Sequence, residues 1–146
     1  MLKAVLFDMD GVIVDTEPLH HKAYQQMFLE VGIEVSPKMY EGFTGQSTRG
    51  ICTQLCSHFN LQKHPQELVI IKRDHFTKLF FEDDDLQLLE GVKDLILDYH
   101  ANGLILVLAS SASMFTINNV MKRFDLDQYF KAKLSGADLK ASKPHP

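Results

Sequence analysis

The sequence predicts an α/β fold: a Rossmann-like parallel sheet, interrupted after its first strand by an inserted all-helical block. Two uninterrupted apolar runs support the sheet. One opens at Ala4 and ends in Asp8-Met9-Asp10-Gly11; the other spans Leu104 to Ala109. A third short run, Phe130 to Leu134, follows a helical stretch, so strand and helix alternate as in βαβ units. Between the first strand and the rest, residues 16 to about 82 carry helical spacing and no strand signal.

The elements follow in order. Thr16 is placed to cap a helix with Pro18 in its first turn, Leu19, Ala23 and Met27 on its apolar face, and Gly32 at its end. Ser36-Pro37 opens a short helix in the same way, and Gly45-Gln46-Ser47 breaks the chain. Ile51, Leu55 and Phe59 line a third helix. Pro65 starts a fourth, with Leu68, Ile71, His75, Phe76 and Leu79 inward; Lys72 and Arg73 read as its charged, solvated face. The acidic run Glu82-Asp83-Asp84-Asp85 reads as a solvated linker. Gly91 precedes a helix with Val92, Leu95, Ile96 and Tyr99, which Asn102-Gly103 terminates. Ser110-Ser111-Ala112-Ser113 is the exit loop of the second strand. A helix from Phe115 to Phe124 follows, with Ile117, Val120, Met121 and Phe124 inward. The expected domains are therefore a core of residues 1–15 and 86–146 and a helical block of 16–85.

The bulk properties exclude several classes. The 146 residues are 45% hydrophobic with a formal charge of -4, and no basic run is present, which argues against a nucleic-acid partner. No apolar stretch is long enough for a membrane span, and the opening apolar run is cut by Asp8 and Asp10, unlike a signal peptide. A cytoplasmic, monomeric protein is the expectation. Cys52 and Cys56 lie on one helix face, without the spacing of zinc or redox motifs, and read as buried free thiols. The seven histidines form no recognisable metal cluster.

The chemistry points to Asp8 and Asp10. Ligand sites of open α/β sheets gather at the carboxyl ends of strands. In extended backbone, alternation puts these two carboxylates on one side, where crowding favours a cation or a shared proton. Phosphoryl transfer suits them: one carboxylate attacks, the other serves as acid and base. Mg²⁺ would neutralise the charge, and Gly11 would let backbone approach a phosphate. The competing reading is a surface turn, because Asp-Gly is a common turn pair. Ser110, after a buried strand, can donate to a phosphate oxygen together with nearby N–H groups such as that of Ser111. Lys143, in Ser142-Lys143-Pro144, can offset phosphate charge.

Together these segments resemble the haloacid dehalogenase superfamily. Phe7-Asp8-Met9-Asp10-Gly11-Val12 is similar to its first motif, Leu108-Ala109-Ser110-Ser111 to its second, and Ser142-Lys143-Pro144 to its third. The helical insert and Asp15-Thr16-Glu17-Pro18-Leu19-His20 resemble the beta-phosphoglucomutase-like branch, with its helical cap. The resemblance implies that Asp8 is the phosphoryl acceptor and a Mg²⁺ ligand. It implies that Asp10 is the acid/base and offers the metal its backbone carbonyl, while Ser110 and Lys143 hold the phosphoryl group. By the same resemblance His20 matches a histidine that controls the acid/base. Gly45, Gln46 and Arg49 are the nearest matches to a substrate-touching cap loop that is one residue shorter in the mutase. A body joined by linkers near Asp15 and the acidic run can swing as a hinge.

The resemblance also implies a fourth motif, an acidic pair beyond the lysine that completes the Mg²⁺ site. The chain stops at Pro146, so a fragment of a longer protein is expected; alone, it should be poorly soluble, bind Mg²⁺ weakly and turn over little substrate. The leading expectation is a Mg²⁺-dependent phosphatase of a small phosphorylated metabolite, such as a sugar phosphate, acting through an aspartyl-phosphate. The alternatives are a hexose phosphate mutase using the same residues and, in another class, an inactive binding or regulatory module.

Overall fold

The computed structural model describes residues 1–84 and 86–137. It divides into two compact units, Met1–Glu17 with Asp85–Pro146, and Pro18–Asp84.

The first unit contains a parallel three-stranded sheet in the order β1 (Ala4–Phe7), β2 (Ile105–Ser110), β3 (Ala132–Ser135). Its register pairs Phe7 with Leu108 and Ser110 with Ser135. Because the strands advance in one direction and such crossovers are right-handed, the connecting helices lie on one face. Val92–Ala101 (named α5 below, after the four helices of the other unit) joins β1's partner side, and Met114–Arg123 (α6) joins β2 to β3. A 3-10 turn, Asp127–Tyr129, leads into β3. Phe7 packs its ring on Tyr99 of α5 and on Phe130. Leu106 and Leu108, which share Phe7's side of the sheet, are buried, as are Ile96, Ile117, Val120 and Met121 from the helices. That is the core of this unit.

The second unit is helical throughout its described residues: α1 (Glu17–Val31, whose first residue belongs to the other unit), α2 (Pro37–Glu41), α3 (Thr48–His58) and α4 (Pro65–Glu82). Local chemistry sets the starts. Ser36 Oγ accepts from Met39 N, and Ser47 Oγ accepts from Gly50 N. His64 caps α4: its ring accepts from Gln66 N, and its own N–H donates to Glu67. Tyr24, Met27, Phe28, Phe43, Ile51, Leu55 and Leu68 form the core.

Several expectations shift. The buried stripe of α4 is Leu68, Val69, Lys72, Phe76 and Phe80, while Ile71 and His75 are only half-buried. Ring packing and the Lys72 contacts described below rotate the helix by a residue from the purely apolar reading. The acidic run does not begin as a linker, because α4 continues through Glu82. Phe124, expected inward, is half-buried, whereas Ile117, Val120 and Met121 of α6 are buried as expected. Leu95 is exposed, and only Ile96 of α5 is fully buried. Cys52 is buried but Cys56 is half-buried, its thiol 3.4 Å from the Lys63 carbonyl.

Candidate active site

The site grows from the carboxyl end of β1. The strand stops at Phe7, and the regular ladder does not run on to Asp10. Instead, the Met9 carbonyl accepts N–H bonds from Val12, Ile13 and Val14, while Gly11 N donates to Val14 O. This tight loop requires the left-handed conformation that Gly11 adopts, with φ of 71°. Burial still alternates through it. Met9 is fully buried, and Asp8 and Asp10 on either side are half-exposed. The loop is tied back by Leu89 N to Ile13 O and by Asp15 N to Gln87 O.

Asp10 is held from within its own unit. The Thr16 hydroxyl donates to Asp10 Oδ1 at 2.7 Å, and Thr16 is only 1% exposed. Local spacing assigns Thr16 only a helix cap; nothing local distinguishes a capping threonine from one whose proton is committed six residues back. A hydroxyl that donates to one carboxyl oxygen fixes which way the carboxyl group points, and is worth roughly 1 kcal/mol.

The second strand brings its exit loop alongside. Continuing the register one step past Phe7 and Leu108 sets Asp8 level with Ala109, immediately before Ser110. Ser110 is the last residue of β2 rather than the first of a loop, and is 3% exposed. Its Oγ accepts from Ala112 N at 3.1 Å, which curls Ser111 and Ala112 over the strand end. Ser111 is exposed there. From β3, Ser135 Oγ donates to Ala112 O at 2.6 Å and Gly136 N donates to Ser110 O at 2.7 Å. These bonds clamp the loop through a residue, Ser135, that the sequence reading did not single out. Ser113 then caps α6 by accepting from Thr116 N.

The other expected site residues lie in the helical unit or beyond the described residues. His20, on α1, stacks on Phe76 with ring centroids 4.4 Å apart, and its Nδ1 is 2.7 Å from Lys72 Nζ. Lys72 is 4% exposed, with its ammonium 5.0 Å from the Tyr24 ring centroid and 5.1 Å from that of Phe76. The expectation of a solvated face therefore fails for Lys72, which aromatic faces and an imidazole hold inside; Arg73 is exposed as expected. Gly45 and Gln46 lie in the exposed turn between α2 and α3, where the Gln46 amide donates to Gly42 O at 2.8 Å. Arg49 is exposed in the first turn of α3. Lys143 lies outside the described residues.

As a metal site the arrangement is partial. Asp8 and Asp10 are hard oxygen donors of the kind Mg²⁺ takes. Among the described residues no group of three or more His, Cys, Asp or Glu is placed to hold a metal ion.

A strand-end aspartate pair beside a clamped serine loop, on a parallel α/β sheet, defines a class. Residues 5–146 match the haloacid dehalogenase-like hydrolase family, and the chain belongs to it. Among curated relatives, it is 27% identical over 143 residues to hexitol phosphatase B of Escherichia coli K12, covering 98% of this chain and 64% of that protein. It is 29% identical to 6-phosphogluconate phosphatase of the same organism, covering 99% and 64%. Among solved structures, the beta-phosphoglucomutase of Clostridium difficile superposes with a TM-score of 0.79 at 25% identity, covering 100% of this chain and 67% of that one. The chain thus spans 64% of the length of both curated relatives.

Proposed function

We propose that this chain carries the reacting carboxylates of a phosphatase that hydrolyses a small phosphorylated metabolite, of the sugar phosphate or sugar-acid phosphate kind. The observation that carries the reading is the pair Asp8 and Asp10 flanking buried Met9 at the end of β1, with Asp10 oriented by Thr16. The printed activities of the relatives, hexitol phosphatase and 6-phosphogluconate phosphatase, support the substrate class.

In this reading an Asp8 carboxylate oxygen attacks phosphorus and the ester P–O bond breaks. Asp10 gives its proton to the departing alcohol oxygen. Asp10 then takes a proton from water as that water attacks the aspartyl-phosphate; inorganic phosphate leaves, and both carboxylates return to their starting states. Ser110 and the N–H groups of the loop after β2 receive the phosphate oxygens, with Ser111 beside them and Lys143 offsetting charge. Gly11 lets the loop after β1 approach the phosphate without a side chain in the way. Asp8 and the backbone carbonyl of Asp10 would contribute to holding Mg²⁺, which supplies charge neutralisation and polarisation of the phosphoryl group. The helical unit takes the role of a cap. In it Gly45, Gln46, Arg49 and His20 are the candidate residues for choosing the substrate.

A phosphomutase is the second reading, favoured by the likeness to beta-phosphoglucomutase. One assay separates the two. Sugar phosphates, including glucose 1-phosphate, are supplied with Mg²⁺, and both free phosphate and glucose 6-phosphate are measured. Free phosphate from one or more substrates supports the phosphatase; glucose 6-phosphate without free phosphate supports the mutase. Absence of both, together with no Mg²⁺-dependent binding of beryllium fluoride, would leave an inactive binding module.

A further inference from the structure

The loop that leaves β2 takes its shape from the end of β3. Backbone groups along β2 turn to its two neighbours alternately. Ile105 N donates to Lys3 O on the β1 side, and Leu106 O accepts from Lys131 N on the β3 side. Ser110 O accepts from Gly136 N at 2.7 Å, again on the β3 side. The C=O and N–H of one trans peptide point in opposite directions. With Ser110 O turned to β3, Ser111 N–H is turned to the β1 side, where Asp8 follows the strand. Ser135 Oγ holds Ala112 O at 2.6 Å, so the N–H of Ser113 likewise faces away from Ser135.

These two N–H groups have no acceptor among the described residues. Backbone donors are ordinarily paired, and neighbouring free ones make a seat for an anion. Between them, Ala112 N is already used, because it donates to Ser110 Oγ at 3.1 Å. The Ser135 hydroxyl is itself fixed: it accepts from Ala137 N at 3.3 Å, which leaves its proton for Ala112 O. The pairing of β3 with β2 is a backbone ladder and needs no hydroxyl. What the hydroxyl adds is the grip on the loop.

We propose that Ser135 is a positioning residue for phosphate binding. It touches no substrate. By holding Ala112 O it keeps the N–H groups of Ser111 and Ser113 aimed across the strand end, at the oxygens of a phosphoryl group beside Asp8. The inference rests on the phosphatase reading, and adds to it a residue from a third strand with a role of its own. Loss of the hydroxyl frees the Ala112 carbonyl and lets the peptides of the loop rotate. Preorganised donors are then lost while Asp8, Asp10 and Ser110 stay in place.

The test titrates the ¹⁵N-labelled 146-residue chain with inorganic phosphate in excess Mg²⁺ and follows the amide signals by NMR. In the parent, the Ser111 and Ser113 amide protons should move downfield as phosphate binds, because a charged acceptor deshields them. Ser135→Ala should weaken phosphate binding about tenfold and shrink both shifts at saturation. Ser135→Thr, which keeps a hydroxyl, should restore both. Ser135 is half-buried and loses one oxygen in the alanine variant, so amide signals of β1 and of the helical unit should stay where they are. Phosphate that binds the parent and leaves Ser111 and Ser113 unmoved overturns the proposal, whether or not the alanine variant folds. So does a folded Ser135→Ala chain that binds phosphate as tightly as the parent, or a parent that binds none. Failure of the phosphatase reading shows separately, as a parent that releases no phosphate from any sugar phosphate, an assay that the Ser135 variants do not enter.

Discussion

Lys72 Nζ sits 2.7 Å from Nδ1 of His20, linking α4 to α1 across fifty-two positions of sequence. An ammonium only donates, so with Lys72 charged the acceptor in this bond is Nδ1 of His20. The stacking of His20 on Phe76 and the placing of Lys72 over Tyr24 fix both partners. A buried charge tolerated in this way is costly to unpair.

His20→Leu removes an acceptor from a lysine that is 4% exposed, and should destabilise the helical unit by about 1–3 kcal/mol in urea denaturation. The double variant His20→Leu/Lys72→Met should recover part of that loss, because it replaces a broken polar pair with apolar volume. Strictly additive losses would show that the two residues do not act as a pair.

Asp8→Asn should reduce phosphate release by at least ~10³-fold while leaving the circular dichroism unchanged, since an amide does not form the acyl-phosphate. Turnover near the parent rate would remove Asp8 from the role of nucleophile.

Thr16→Val keeps shape and loses the hydroxyl that donates to Asp10. The expected outcome is a fall in kcat of about ten- to a hundredfold with KM changed little, because the proposed acid/base loses its orientation while substrate contacts stay. Thr16→Ser should restore most of the rate. A KM effect without a kcat effect would place Thr16 in substrate binding instead.

Burial, with smaller help from the neighbouring Cys56, pushes the Cys52 thiol up to about 11 against the opposing pull of Lys72. At pH 8 only ~0.1% of Cys52 is then thiolate, so it should react slowly with Ellman's reagent. Cys56 is also raised, by burial and then by Glu67, but is only half-buried and should react first. In urea the two rates should converge. The sign for stability follows from the raised value: the folded state binds the proton more tightly, so this contribution is full below the ordinary thiol range. It is lost as pH climbs through about 11. Equal native rates for the two thiols would contradict this ordering.

Much of this molecule is legible in the linear chain. The apolar runs of residues 4–7 and 104–109 mark two strands of the parallel sheet. Ser36, Ser47 and Gly32 mark helix ends, because capping is chemistry between residues close in sequence. Asp8-Met9-Asp10-Gly11 marks the candidate site by the same local logic. The tertiary structure decided what local spacing does not encode. It committed the Thr16 hydroxyl to Asp10, brought Ser135 under the loop after Ser110, and turned Lys72 inward to His20. It also left Leu6 and Ile105 exposed, although the apolar runs they belong to read as buried strands. Strand and helix identity rest on neighbours a few residues apart; partner and burial depend on which distant segment arrives alongside, and only packing supplies that.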